Sequence, residues 1–434
     1  MINFINWLSA TFSVLPLVDP FYQERSLAFQ KLCDNAFREG QKEHYKHLSF
    51  KELLGACMDQ VYHPQPILVD DRSISAVGCP YVEKKNVLTF INGIWSAKQS
   101  GFGDLSSQGL RLRCLSDMPL VEQQAIVTEY NADLRVSDDC FALLNRMLAP
   151  ETYILEIPDH VDLLDVLYIE HMITEEATHV LPQLIIRLGK TSKATIVETW
   201  EGTAAHTSPF VNALTHITLS EAAHVSYYTL HMEDLPGHQV NHLYVNQAHD
   251  SHFTHHAFSF GGSLLRMNLT AQIKGSRAAA HLYGLYSLCK NEKIDHRIQV
   301  IHSAPNSFSK QHYKGILGGT SLGGFNGKIY LTPEAQQTHA FQANQVIMVS
   351  DQAAHYGKPQ LEIYADDVKC SHGVTVGQLD PEQLFYLQTR GIAPDLAKKL
   401  LLSAFGKEII GFTAMSELQH YLLERFEEQL WQLA

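Results

Sequence analysis

One short pattern recurs along the middle of the chain: small or polar residues, then an aromatic or long side chain. It reads Ala223-His224-Val225-Ser226-Tyr227, Ser251-His252-Phe253-Thr254-His255, Ala279-Ala280-His281-Leu282-Tyr283, Ser307-Phe308-Ser309-Lys310-Gln311 and Ala335-Gln336-Gln337-Thr338-His339, with starts about 28 residues apart. A near-constant step of this size is the mark of folds built from stacked repeats. One such unit cannot bury its own apolar side and needs a neighbour above and below. Short β-rich runs fill the same region, bounded by Gly, Asn, Asp and Pro: Val87–Ile91, Tyr153–Ile157, Leu184–Leu188, Thr195–Trp200, Val225–Leu230, Gln239–Val245 and Gln345–Val349. Strands of this kind at a regular period predict coils stacked into a β-helix. A β-sandwich is the competing arrangement.

Outside this region the periodicity is helical. Residues 1–84 are expected to form an N-terminal helical region. Within it, Met1 to Val18 lacks a basic start and reads as a helix of the mature protein, not a signal peptide. Phe21 to Phe37 follows with apolar residues among charges, and Ser49 stands where a helix N-cap belongs. Residues 85–379 are the expected β-helix core. From 380 to 434 the pattern returns to helix. Asp380 is placed as an N-cap with Pro381 in the first turn, Gly391 as a stop, and Pro394-Asp395 as the next start. Met415, Leu418, Leu422, Phe426, Leu430 and Leu433 then fall at steps of three and four, the stripe of an amphipathic helix.

Charge and composition exclude several classes. The formal net charge is −13 with no basic cluster, which argues against nucleic acid and anionic membrane as partners. No stretch is apolar for the ~18 residues a membrane-crossing helix needs. The seven cysteines are scattered and form no Cys-x-x-Cys pair, so neither a disulfide framework nor a zinc ribbon is expected. The expected compartment is the cytoplasm. There is no Gly-x-Ser-x-Gly. The run Gly318-Gly319-Thr320-Ser321-Leu322-Gly323-Gly324 also lacks the Gly-Lys-Ser/Thr ending of a phosphate-binding loop, so the chain is not expected to hydrolyse ATP.

Histidine is the unusual component, at 24 residues. No zinc-protease or zinc-finger spacing is present. Most are expected to be surface or hydrogen-bonded groups, though equivalent positions on stacked coils, such as His252 and His281, would bring imidazoles together without a local motif. One segment concentrates chemistry: Leu361-Glu362-Ile363-Tyr364-Ala365-Asp366-Asp367-Val368-Lys369-Cys370-Ser371-His372-Gly373. On an extended strand Cys370 and His372 point to the same side. Thiolate sulfur and neutral imidazole nitrogen both suit iron or zinc. Lys369, if close, would lower the Cys370 pKa. Two donors alone supply too few ligands, and on the residues alone a buried structural pair is the better reading.

The wording of this segment, continued through Val374-Thr375-Val376-Gly377 and Phe385-Tyr386-Leu387-Gln388-Thr389-Arg390-Gly391-Ile392, resembles the SufB/SufD scaffold family of the bacterial SufBCD iron–sulfur cluster assembly machinery, in its SufD-type form. Asp295-His296-Arg297, His302, Ser309-Lys310-Gln311-His312-Tyr313-Lys314-Gly315, Phe325-Asn326-Gly327-Lys328-Ile329 and Ala335 to Asn344 resemble it in the same order. The likeness is dense over about 290–410 and fainter upstream. It implies a right-handed parallel β-helix core flanked by helical N- and C-terminal regions. It further implies a non-catalytic scaffold subunit that pairs with a SufB-type paralogue and docks a SufC-type ABC ATPase on its C-terminal helices. Phe385, Tyr386, Arg390, Leu396, Leu400 and Phe405 are the expected contacts there. An iron–sulfur cluster held transiently and shared with SufB, sulfur delivered through SufB by a donor system, and a reduced flavin on the complex belong to the same picture. SufB-type sequences carry His-Glu where this chain has His372-Gly373. His372 is therefore the first expected ligand and Cys370 the second. A structural β-helix homodimer, or a β-helix carbohydrate-active enzyme, remains the alternative.

Overall fold

The computed structural model describes residues 2–13, 15, 22–35, 45, 48, 50–58, 86–134, 139–174, 179–202, 208–232 and 237–433. Cys79, the N-cap expected at Ser49, and the residues between 59 and 85 lie outside them. The core is a parallel β-solenoid of about seven turns. Its strands alternate between two sheets, so each coil contributes one strand to each. Six of the seven runs read from the sequence lie wholly in strands, two of them with the same bounds; the seventh, Gln345–Val349, overruns by Val349 the strand Thr338–Met348, which begins seven residues earlier. The opposing strands Phe210–Leu219, Leu264–Ile273, Lys293–His302, Leu322–Leu331 and Ala354–Ile363 carry no repeated wording and were not legible.

Register sharpens the period. His224 pairs with His252, His252 with Ala279, Ala279 with Phe308, and Phe308 with His339. The step therefore drifts from 27 to 31 residues and is not a constant 28. The segment starting at Ala335 is displaced, because Thr332 to Gln337 make an extra turn around Pro333 before the strand begins at Thr338. One corner of the coil explains how the drift is tolerated. His160, Thr191, Ala222, Asp250, Arg277, Asn306 and Gln337 all adopt positive φ, at 54 to 63°. Each donates its N–H to a carbonyl on the next coil, for example Thr191 to Glu221, Asp250 to Ser276 and Asn306 to Gln336. The left-handed backbone costs about 1 kcal/mol or more per residue, and the stacked corner bonds offset it.

Alternate residues of each strand fill the lumen, where Leu155, Ile196, Phe253, Leu282, Ile298, Tyr313 and Phe325 are buried. Helices cover the outer faces. α1 (Ile2–Ser13), α2 (Tyr22–Asn35) and α3 (Phe50–Met58) pack with Phe210, Val240 and Leu264 on one sheet. Two further helices, α4 (Leu120–Leu134) and α5 (Cys140–Leu148), interrupt the early coils and cover the same sheet. Asp139 caps α5 by accepting from Phe141 N at 3.0 Å, and the Tyr45 hydroxyl donates to the same carboxylate.

After α6 (Pro381–Thr389), α7 (Pro394–Ile410) and α8 (Ser416–Leu433) pack on the other sheet against Tyr228, Phe258, Phe260 and Leu285. The α8 stripe is buried as its spacing predicts: Leu418, Leu422, Phe426 and Leu430 are all 3% exposed or less. Gly406 of α7 lets that stripe approach, since a Cβ there would stand 2.3 Å from the Phe426 ring. The expected helix signals at Asp380, Pro381, Gly391 and Pro394 all sit as read, with the Asp380 carboxylate accepting from Glu382 N at 2.9 Å. No described helix is long and apolar enough to cross a membrane.

Candidate functional site

Cys370 and His372 lie on Val368–Gly377, the last strand of the solenoid. This strand ends one sheet, as Ala354–Ile363 ends the other, and each pairs with a single neighbour. Register fixes which way the side chains point. Cys370 stands beside Ala340 and His372 beside Gln342, and both neighbours are buried in the lumen. Cys370 and His372 therefore share the inward row, at the mouth of the last coil. Cys370 is half-buried against Leu361 and Val368 beside a core of Ile329, Leu331, Ala335 and Ala340. His372 is exposed.

The two donors differ chemically. Burial pushes the Cys370 thiol up, and a backbone hydrogen bond at Ala340 pulls it only part of the way back. Lys369 is not among the groups acting on it, which corrects the expectation that this cation lowers the thiol pKa. Adjacent strand residues point to opposite faces, and Lys369 is on the outer one. A thiol must lose its proton before it binds iron, whereas a neutral imidazole binds directly. Asp366 and Asp367 are exposed in the corner before the strand. Among the described residues no three His, Cys, Asp or Glu side chains stand close enough to hold a metal ion.

The histidines divide in two. His224 and His252 pair in register and stack at 4.4 Å on successive coils, whereas the expected equivalence of His252 and His281 is corrected: His252 pairs with Ala279 and His281 with Thr254. Many others are buried, and several of these meet the hydrogen-bonded half of the expectation: His231 bonds Asn241, His255 bonds Thr229, and His302 bonds Ser307 and Ser309. Burial pushes His231, His255, His296 and His302 down to about 3, and they stand neutral.

The C-terminal helices present a second surface. α6 has no buried residue. Phe385 and Tyr386 are 68% and 57% exposed, and the Arg390 guanidinium lies 5.1 Å above the Tyr386 ring. Leu396 and Leu400 on α7 are exposed as well. Phe405 differs from these five. It is half-buried against the solenoid core, with the Lys314 ammonium 4.3 Å above its ring. Its backbone carbonyl accepts from the same Lys314.

Two sequence families match the chain along most of its length. The one described as "SUF system FeS cluster assembly, SufBD core domain" spans residues 171–405, and the "SufBD protein N-terminal region" spans 17–169. The chain belongs to the SufBD family. SufBD proteins serve iron–sulfur cluster assembly in the SUF system, and the core match contains every candidate residue above. The chain is 33% identical over 245 residues to "Iron-sulfur cluster assembly protein SufD" of Escherichia coli, covering 56% of this chain and 57% of that protein. It is 28% identical to "Protein ABCI7, chloroplastic" of Arabidopsis thaliana, over 63% of this chain and 59% of that one. A "SufBD family protein" of Synechocystis is 25% identical over 76% and 75%. The chain thus spans a little over half the length of the first two relatives.

The sequence singled out the two donors but not their setting. Tyr356, Ile363, Tyr364 and Val376 are exposed around the mouth of the same coil. Gln311 and Gln342 lie in the row beneath His372. Only the register between strands 30 and 31 residues apart places the second pair there. Nothing local marks the first as exposed.

Proposed function

We propose that this chain is a SufD-type, non-catalytic scaffold subunit that offers His372, with Cys370 second, to a nascent iron–sulfur cluster at an interface with a SufB-type paralogue. The cluster is cargo, built and then passed on. The observation that carries the reading is the position of both donors at the open edge of the terminal coil. Two edge strands with exposed Tyr356, Ile363, Tyr364 and Val376 make a surface that another chain can extend by strand pairing. A partner seated there brings its own ligands beside His372. A site split across an interface can also be opened by moving one subunit, which suits a cluster that must leave.

The proposal divides the chain into 1–84, 85–379 and 380–434. A SufC-type ATPase docks on the last part, through the exposed faces of α6 and α7: Phe385, Tyr386, Arg390, Leu396 and Leu400. Phe405 supports that surface from beneath. Sulfur arrives through the SufB-type partner, and a reduced flavin belongs to the assembled complex. The isolated chain pairs with a second copy through the same edges.

Co-expression with SufB-type and SufC-type partners tests this. The expected result is one complex holding all three, on which a cluster is reconstituted and lost with His372→Ala. Cluster formation unchanged in His372→Ala removes the ligand role. A chain that purifies without the SufB-type protein removes the pairing.

A further inference from the structure

Gln342 stands directly beneath His372 in the same inward row. That row runs Tyr227, His255, Leu282, Gln311, Gln342, His372 through successive paired strands. We propose that Gln342 is the positioning residue for His372, fixing which ring nitrogen faces the open mouth, and that Gln311 extends the same amide row below it. The inference deepens the ligand reading above and rests on it.

Four observations carry it. Gln342 is 3% exposed, and its amide nitrogen donates to the Gly327 carbonyl at 3.2 Å. That bond assigns the orientation of the amide and leaves Oε1 as the free end. Oε1 is buried and has no hydrogen-bond partner. Buried acceptors are seldom left so, and an unmade bond in a functional region calls for an occupant. Gly327 is shaped for this amide, since a Cβ there would stand 2.1 Å from Gln342 Nε2. Below it, Gln311 is 1% exposed with both amide atoms unpartnered, one strand spacing away in register. Amides stacked at the ~4.8 Å spacing of paired strands can bond along the row.

The chemistry follows from the imidazole. A histidine that ligates through one nitrogen needs an acceptor for the N–H on the other. The orphaned Gln342 Oε1, one strand below His372 in register, is the acceptor assigned to this role. The lone pair of the second nitrogen is then turned out of the mouth, toward the incoming iron. A neutral amide acceptor orients the ring without adding a buried charge.

The test uses the full chain, with ring-¹⁵N-labelled histidine and Fe²⁺ alone as the probe. The His372 signal is assigned by its loss in His372→Ala. In the wild type, at mildly alkaline pH, His372 is expected as one neutral tautomer. In Gln342→Leu it becomes a mixture, and Fe²⁺ affinity falls about 10–100-fold. Gln342→Glu, which keeps an acceptor, restores the single tautomer and the affinity. An unchanged tautomer in Gln342→Leu overturns the proposal whatever iron does. If Gln342→Leu does not fold, a tautomer mixture in the folded Gln342→Glu chain overturns it instead. Fe²⁺ binding unaffected by His372→Ala defeats the ligand reading separately, while the tautomer still decides the role of Gln342.

Discussion

The middle coils and the terminal coil are built to the same plan and end in opposite states. In the middle, inward positions such as Phe253, Leu282 and Tyr313 are sealed by coils on both sides, and α7 and α8 cover the outer face at Tyr228 and Phe258. In the terminal coil the equivalent positions are Cys370, His372 and Val374, and among the described residues no further strand pairs beyond them. Along the row from Tyr227 to His372, register and face are constant and only the next coil is missing. Solenoids usually close such an end with a polar cap, because an open edge invites pairing. Here the open end carries a thiol, an imidazole and exposed apolar residues. The difference teaches that reactivity in this fold comes from where the stack stops.

The largest effect expected from this contrast lies in the covered region. Phe426→Ala removes a fully buried ring packed 5.6 Å from Phe260 and is expected to cost about 3–5 kcal/mol in urea unfolding. Val376→Ala on the open coil should stay within about 1 kcal/mol. Equal costs at the two sites would break the comparison.

Acid should discriminate next. His231, His255, His296 and His302 are neutral when folded, with values near 3 against about 6.5 unfolded. The unfolded chain therefore takes up protons first. Stability is complete above about pH 6.5 and declines as pH falls from there toward about 3. At pH 5 the loss is on the order of 1–2 kcal/mol per histidine. Urea midpoints at pH 7 and pH 5 measure it, and His302→Asn should flatten the slope. A pH-independent midpoint would show that these imidazoles are not sealed.

The open coil should respond in the reverse sense. The double change Ile363→Asp and Val376→Asp alters exposed positions, so stability is expected to move by about 0.5 kcal/mol or less. Co-purification with a SufB-type partner, or self-association of the isolated chain, should be lost. Pairing retained in that variant places the interface elsewhere. The smallest effect sharpens the boundary between solenoid and helices. Asp380→Ala removes the α6 cap and is expected to cost about 1 kcal/mol by thermal unfolding.

Much of this was legible before any coordinates. The recurring segments 223–227 through 307–311 predicted stacked coils, and the turn and cap residues at 380, 381, 391 and 394 predicted the C-terminal helices. These are local signals, read from residues that act on their own backbone. The segment at 335–339 misled because an inserted corner turn shifts register without altering the wording. α4 and α5 were missed for a different reason. Their helical spacing sits among strands, and the pattern of the surrounding strands dominated the reading.

What the sequence alone determined is therefore the period, the alternation that puts Cys370 and His372 on one face, and the family through their wording. Tertiary structure decided what that face is. Whether an inward residue is core or mouth depends on whether another coil stacks on it, and that is a contact between segments about 30 residues apart. It also decided that Gln342 and Gln311 lie under His372, that Lys369 looks away from the thiol, and that Phe405 faces inward while Phe385 and Tyr386 face out. Burial and register are properties of the stack, so no single stretch of sequence carries them.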